Sequence, residues 1–417
     1  MNIETNRREF MKAAAIVIGA AEWTGSSFAA NAADTGSRAP AGTSKPDAGS
    51  ETPKSSGEVP LAPPDKQPPN LPVPEPAPRK IGWAIVGLGE LALEEVMPAF
   101  LETRLSKPVA LVSGHPEKAR KIAEAYGVKP EAIYNYENYD QLAQNKEVEV
   151  IYIILPNSMH AEFTIRGLRA GKHVLCEKPM APSVEECEQM IAVSKETGKK
   201  LMIAYRLHYE PMNLTVAELL RKQTFGPVKT LSSSNCQNTP APNIRLSKKL
   251  GGGPIGDIGI YSINTARMIL GEEPVEVSAM FHQPKDNPRF REVPESATFT
   301  LRFPSGVLAH CDCSFNSTES RRYRVHCEKG FVEMDPAFSY RGLRLRVKQG
   351  ESKGGTPQLA EWNVKEVNQF AAEMDHFSEC VLQDKLPRTP GEEGLQDMRI
   401  IAAIEEAART GQTVRIG

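Results

Sequence analysis

The chain has 417 residues, long enough for two ordinary domains once an atypical amino terminus is set aside. Its 50 Lys and Arg nearly balance 52 Asp and Glu, a formal charge of −2 with no basic stripe, which excludes the footprint of a nucleic-acid binder. No apolar run of about 18 residues exists, so no membrane-inserted helix is expected; seven scattered cysteines without a Cys-x-x-Cys pair read as neither a disulfide framework nor a metal site.

Residues 1–33 read as an export leader. Asn6-Arg7-Arg8-Glu9-Phe10-Met11-Lys12 is a twin-arginine signature, followed by an apolar stretch at 13–21 and small residues at 27–33 that suit cleavage. A periplasmic protein handled by the twin-arginine export machinery is therefore expected. Residues 34–79 are rich in Pro, Ala, Ser and Gly, including Pro68-Pro69, and read as an extended arm without a core of its own.

The first domain is expected over 80–206. Ile81-Gly82-Trp83-Ala84-Ile85-Val86 is a strand that runs into Gly87-Leu88-Gly89-Glu90-Leu91-Ala92. This is G-x-G-x-x-A at a strand-to-helix junction. Gly87 permits the tight turn, Gly89 lets a pyrophosphate approach the backbone, and Ala92 lets the helix pack close to the strand. The next strand, 109–112, ends in Ser113 where an NAD-preferring site carries Asp or Glu, and Lys118 follows one turn into a helix. A hydroxyl and a cation accept a 2′-phosphate that a carboxylate repels, so NADP is favoured over NAD. Further strands are expected near 132–134, at 148–155, at 173–175 and at 201–205, with helices between them, and Ser183 with Glu186 makes a capping box. The alternation predicts a doubly wound parallel sheet, an α/β Rossmann domain.

The fifth strand ends in Cys176-Glu177-Lys178-Pro179. A lysine at the carboxyl end of a strand in such a sheet points into the crevice where ligands bind, and the following proline restricts its backbone to extended geometry.

Beyond residue 206 the period changes. Ala297, Phe299, Leu301 and Phe303 alternate with polar residues, Pro304-Ser305-Gly306 reads as a turn, and Val307, Ala309, Cys311, Cys313 and Phe315 alternate again. Period-two runs joined by turns predict a large, mostly antiparallel open sheet in an α+β domain over 207–417. Cys311 and Cys313 are read as core residues. A glycine-rich stretch at 251–259 leads into a helix through Tyr261, Ile263, Ala266 and Ile269, and helices are expected near 370–382 and 397–408.

Together, Gly87-x-Gly89-x-x-Ala92, Pro156-Asn157-Ser158-Met159-His160, Glu177-Lys178-Pro179 and the stretch 251–261 resemble the Gfo/Idh/MocA oxidoreductases over about residues 80–417, and within them the periplasmic glucose–fructose oxidoreductase branch. The resemblance implies that Lys178 contacts both nicotinamide ribose and substrate, that Tyr261 is the general acid/base, and that Asp257 orients a sugar. Arg206, Tyr209 and Arg245 would line the sugar site. Ser113, Lys118 and Tyr136 would hold the adenosine phosphate of a tightly bound NADP, with Pro156, Asn157, His160 and Glu177 completing the cofactor site. The open sheet would join copies of the chain into a dimer or tetramer. Asn264 stands where many relatives carry aspartate beside a histidine, so a His-Asp mechanism is excluded.

The chemistry fits those positions. A phenol with its ordinary pKa near 10 is a poor base at neutral pH; a neighbouring ammonium favours the phenolate and stabilises charge on a sugar oxygen. An exported enzyme that released its nucleotide would stop after one turnover. The expected activity is therefore ping-pong coupling of the oxidation of one sugar to the reduction of another, and the resemblance implies glucose to gluconolactone and fructose to sorbitol as the pair. The alternatives are a conventional NAD(P)-dependent sugar or polyol dehydrogenase and a non-catalytic nucleotide-binding sensor.

Overall fold

The computed structural model describes residues 79–349 and 359–417. The expected leader and all of the expected arm but Arg79 lie outside the described residues.

The first sheet is built from β1 (Ile81–Val86), β2 (Ser106–Val112), β3 (Ile133–Tyr134), β4 (Val150–Ile153), β5 (His173–Glu177) and β6 (Leu201–Ala204). All pairings are parallel and the strand order is β3-β2-β1-β4-β5-β6, so the direction of winding reverses between β1 and β4. Every residue of β1 is buried, as a strand covered on both faces requires. Between the strands run α1 (a π turn, Ala92–Val96, continuing as Met97–Ala99), α2 (Pro116–Tyr126), α3 (His160–Arg169) and α4 (Val184–Thr197). Their ends follow the local chemistry. Ser183 caps α4 by accepting from the Glu186 amide, and α2 stops at Gly127, which takes the left-handed conformation.

The second sheet follows α5 (Pro211–Arg221). Its strands are β7 (Val228–Asn238), β8 (Glu276–His282), β9 (Ser296–Arg302), β10 (Leu308–Ser314), β11 (Asn316–Cys327), β12 (Gly330–Met334), β13 (Leu345–Gln349), β14 (Leu359–Trp362) and β15 (Val414–Arg415). The order is β14-β13-β12-β11-β7-β10-β9-β8-β15, antiparallel except where β7 lies parallel to β10. The alternating residues named from sequence all face inward: Ala297, Phe299, Leu301, Phe303, Ala309, Cys311, Cys313 and Phe315 are buried. Burial pushes the Cys311 and Cys313 thiols up, so both are inert packing groups. The helices of this half are α6 (Ile260–Leu270, entered through a π turn at Ile255–Gly259), α7 (Gln369–Leu382) and α8 (Gly391–Thr410).

The chain returns to the first sheet before it ends. Trp83 is fully buried, edge-on to Phe100, Tyr152 and Phe377, and donates its Nε1–H to Ser378 on α7 at 3.1 Å. Deleting such a ring costs on the order of 3–5 kcal/mol. Asp375 on α7 accepts from the amides of Arg104 and Leu105. Along β6, Ile203 donates to the Thr389 carbonyl, so the sheet edge is covered by the segment leading into α8. No described helix is long and apolar enough to cross a membrane.

Candidate active site

The crevice at the reversal point between β1 and β4 begins with two glycines that do different work. Gly87 holds φ +92°, and a Cβ there would strike the Ile154 carbonyl oxygen; the position serves the packing of β1 against β4. A Cβ at Gly89 would meet nothing within 4 Å, so the missing side chain leaves space on the ligand side. That space, ahead of a helix whose first turn points its amides outward, fits a pyrophosphate. Ala92 is fully buried, as close packing of α1 requires.

At the end of β2, Ser113 is buried and its hydroxyl accepts from the His115 amide at 3.1 Å. Lys118 reaches back so that Nζ donates to the Leu88 carbonyl at 3.0 Å, which places the cation over the glycine turn. The Tyr136 ring lies against Gly114, edge-on to Phe163. Ser113, Lys118 and Tyr136 therefore gather around the end of β2, the side of the crevice where the adenosine end of a dinucleotide lies.

Lys178 stands at the exit of β5, followed by a cis peptide to Pro179. Its Nζ donates to the Asp257 carbonyl at 2.7 Å, lies 3.7 Å from Asp257 Oδ1, and sits 4.5 Å from the centre of the Tyr261 ring. The partner segment is the π turn at Ile255–Gly259, which widens the helix just before Tyr261; such turns are frequent at functional sites. Two contacts fix that turn on β7: Asn235 donates Nδ2–H to the Ile258 carbonyl at 3.0 Å, and Ser233 and Ser262 share a hydroxyl hydrogen bond of 2.7 Å. Asp257 lies within the turn and not at a helix cap; its Oδ2 accepts from Arg245 Nε at 2.7 Å, so its carboxylate joins Arg245 to Lys178. Burial alone would push the Tyr261 phenol up. The Arg206 guanidinium and Lys178 ammonium outweigh burial and the Glu177 carboxylate and hold it below the usual phenol value.

Lys178, Asp257, Tyr261, Arg245 and Arg206 thus come together as expected, although Arg206 lies behind the Tyr261 ring. Tyr209 and His160 are turned into the protein, and Glu177 and Asn157 are engaged by protein groups. Tyr209 is buried in the core. Its hydroxyl pairs with Thr389 at 3.1 Å and its ring packs at a tilt against His376, in the turn that follows β6. His160 is fully enclosed, with Nδ1 bonded to the Pro179 carbonyl and Nε2 to the Leu155 carbonyl. It ties the β4 exit to the Lys178-Pro179 turn and has no nitrogen left for a cofactor. Glu177 is buried, accepting from the Tyr152 hydroxyl at 2.7 Å and the Lys178 amide at 3.2 Å, so it supports the lysine from behind. Asn157 donates to the Gly251 carbonyl at 2.9 Å, latching the β4 exit to the glycine-rich stretch, while Pro156 stays half-buried beside it.

Sequence reasoning missed Asn235, Ser233, Tyr340 and Gln369. Tyr340 and Gln369 surround Arg206 from segments with no periodic signal pointing at the site. Asn235 carried a usable clue: a polar residue at an inward position of β7. Among the described residues no group of three His, Cys, Asp or Glu side chains is placed to hold a metal ion.

A nucleotide cradle at the switch point of a doubly wound sheet, and an open-sheet domain that delivers a tyrosine to a strand-end lysine, define a two-domain nicotinamide-dependent oxidoreductase. Residues 81–205 match the oxidoreductase family with an NAD-binding Rossmann fold, and residues 213–333 match the GFO/IDH/MocA C-terminal domain. The chain belongs to the Gfo/Idh/MocA family. It is 32% identical to a D-xylose 1-dehydrogenase [NADP(+)] of Haloarcula marismortui, across 81% of this chain and 93% of that one. Among solved structures, aldose-aldose oxidoreductase from Caulobacter crescentus, complexed with glycerol, shares 45% identity at a TM-score of 0.78, covering 81% of this chain and all of that chain. A 3-ketoreductase from Actinomadura kijaniata, in complex with NADP and TDP-benzene, shares 25% identity at a TM-score of 0.70, covering 79% of this chain and 98% of that one.

Proposed function

We propose that the protein is an NADP-dependent sugar oxidoreductase that keeps its nucleotide bound and couples oxidation of an aldose to reduction of a second sugar. The observation that carries this is the Lys178–Tyr261 pair, with Nζ 4.5 Å from the ring centre and Asp257 and Arg245 beside it. Gly87, Gly89 and Ala92 would hold the pyrophosphate, with Ser113, Lys118 and Tyr136 around the 2′-phosphate. A nicotinamide held there would supply hydride transfer, taking the hydride of the first sugar and giving it to the second.

The residues of this chain manage the proton and the charge. Tyr261, as phenolate, takes the hydroxyl proton of the aldose while its C1–H bond breaks, leaving a lactone. As phenol, it then returns that proton to the carbonyl oxygen of the acceptor, and the site is restored. Lys178 faces the oxygen on which charge develops in both directions. Asp257, held by Arg245, accepts hydrogen bonds from sugar hydroxyls and fixes the ring.

Glucose as donor and fructose as acceptor is the pair suggested by the motif resemblance. The 45% identity to an aldose-aldose oxidoreductase favours an aldose in the acceptor role. A conventional NADP-dependent sugar dehydrogenase is the second reading, supported by the xylose dehydrogenase relative. The twin-arginine signature at Asn6–Lys12 supports export to the periplasm with nucleotide aboard as part of this reading. The solvent-facing side of the second sheet, where Met280 is 77% exposed, supports self-association. The test is to purify the folded protein, quantify released nucleotide, and assay sugar pairs without added cofactor. Turnover with stoichiometric NADP is expected; activity only on addition of NAD(P) would establish the second reading.

A further inference from the structure

Arg206 poses a problem that the proposed chemistry leaves open. It is 4% exposed, in the turn Arg206–Tyr209 after β6. Its guanidinium donates to the carbonyls of Phe338 (2.5 Å) and Ser339 (3.2 Å) and to Gln369 Oε1. Gln369 is itself anchored by donating to the Ser339 and Tyr340 carbonyls, each at 3.1 Å. The guanidinium carbon lies 5.0 Å from the centre of the Tyr261 ring and 4.6 Å from that of Tyr340. Among the described residues Arg206 forms no ion pair with Asp or Glu, and its Nε has no hydrogen-bond partner. The buried carboxyls of Glu373 and Glu177 face it without forming an ion pair, and burial pushes both up toward the neutral form. A buried cation whose hydrogen bonds all go to neutral acceptors is costly unless an anion forms beside it.

We propose that Arg206 is a positioning residue whose counter-ion is the Tyr261 phenolate, and that it does not bind the sugar. This rests on the acid/base role of Tyr261. Gln369 and the carbonyls at 338–339 set the guanidinium in place, between the Tyr261 and Tyr340 rings. The charged and titratable groups around Tyr261 are Arg206, Lys178 and Arg245 on the positive side, and Glu177, Asp257 and Tyr340 on the other, with Glu373 behind Arg206. Lys178 is shared with substrate and nucleotide, so Arg206 is the cation whose position is independent of what occupies the site. It therefore keeps the phenolate accessible in both half-reactions, and it shields the ring from moving when one sugar replaces another.

The test compares pH profiles of the sugar-oxidation half-reaction in the nucleotide-loaded protein, for the parent, Arg206→Gln, Arg206→Lys and Gln369→Glu. Removing a cation about 5 Å away moves a neighbouring titration by about one to two pH units. Arg206→Gln is expected to move the acidic limb up by that amount while KM for the sugar changes less than threefold, and Arg206→Lys to restore part of the shift. Gln369→Glu gives the guanidinium a carboxylate partner and is expected to move the limb up as well, which keeps the test decisive where Arg206→Gln fails to fold. An unmoved limb in the folded variants, with KM raised tenfold or more, makes Arg206 a sugar ligand and overturns the proposal. Tyr261→Phe separates the two failures: near-normal turnover in it defeats the acid/base reading, whereas lost turnover with unmoved limbs defeats only the role of Arg206.

Discussion

The nucleotide cradle and the reacting site lie at neighbouring strand ends, yet they are assembled in opposite ways. The cradle is made by one stretch of backbone, Gly87 to Ala92, whose function lies in side chains that are missing. The reacting site is made of side chains brought from far apart: Lys178 at the end of β5, Arg206 after β6, Arg245 and Asp257 before α6, Tyr261 in its first turn, and Gln369 at the start of α7. On the proposed reading a local motif would place phosphate groups, and a long-range assembly places charges. The first depends on space and the second on electrostatics, so substitutions should affect them differently.

The sharpest contrast is expected from Tyr261→Phe. Loss of the acid/base group should lower turnover about 10²–10⁴-fold, with nucleotide content and melting temperature close to the parent, as read by sugar-pair assay, nucleotide release and thermal unfolding. Lys178→Met should lower turnover by about 10²–10³-fold and retain the fold; normal turnover would remove the lysine from the chemistry. In the cradle, Gly89→Val places its side chain in open space, so stability should change by less than about 0.5 kcal/mol while copurified nucleotide falls about tenfold or more. Gly87→Ala inverts that result. Its φ of +92° and the crowding of Ile154 should cost about 2–5 kcal/mol of stability, measured by denaturant unfolding. Retained nucleotide in Gly89→Val would break the comparison. The smallest effect is expected from Lys118→Glu, which should shift the NADP-to-NAD ratio of bound nucleotide about fivefold toward NAD.

How far each region could be read from sequence follows the same division. The parallel sheet was legible because the strand at 81–86 and the run at 148–155, broken only by Glu149 and holding the shorter strand Val150–Ile153, are otherwise apolar, and the glycines punctuate the first turn. The second sheet was legible in the period-two runs at 297–303 and 307–315, but the parallel pairing of β7 with β10 was not, since alternation specifies a face and not a direction. That Lys178, Asp257 and Tyr261 lie together was recoverable through motifs at separated positions. The placement of Tyr209 and His160 was not. A tyrosine or histidine near a strand end carries the same local signal whether it faces the crevice or, as here, closes hydrogen bonds to Thr389 and to the Leu155 and Pro179 carbonyls. Gln369 was invisible because its role depends on α7 returning to the first sheet. That contact is encoded by the burial of Trp83 and Phe377 and by no motif.

The central claim is that one lysine–tyrosine pair serves oxidation and reduction around a nucleotide that stays in place. Its most direct test is a rapid-mixing experiment on purified protein with no nucleotide added, following nicotinamide absorbance as a donor sugar and then an acceptor sugar are supplied across a pH series. Oxidation needs the phenolate, so its rate should rise with pH through the Tyr261 midpoint, which lies below the usual phenol value. Reduction needs the phenol, so its rate should fall with pH through the corresponding transition in the reduced complex. The account predicts reduction and reoxidation of the copurified nucleotide with these opposite slopes, both lost in Tyr261→Phe. An absorbance change that appears only after NADP is added, or slopes of the same sign in both directions, would contradict it.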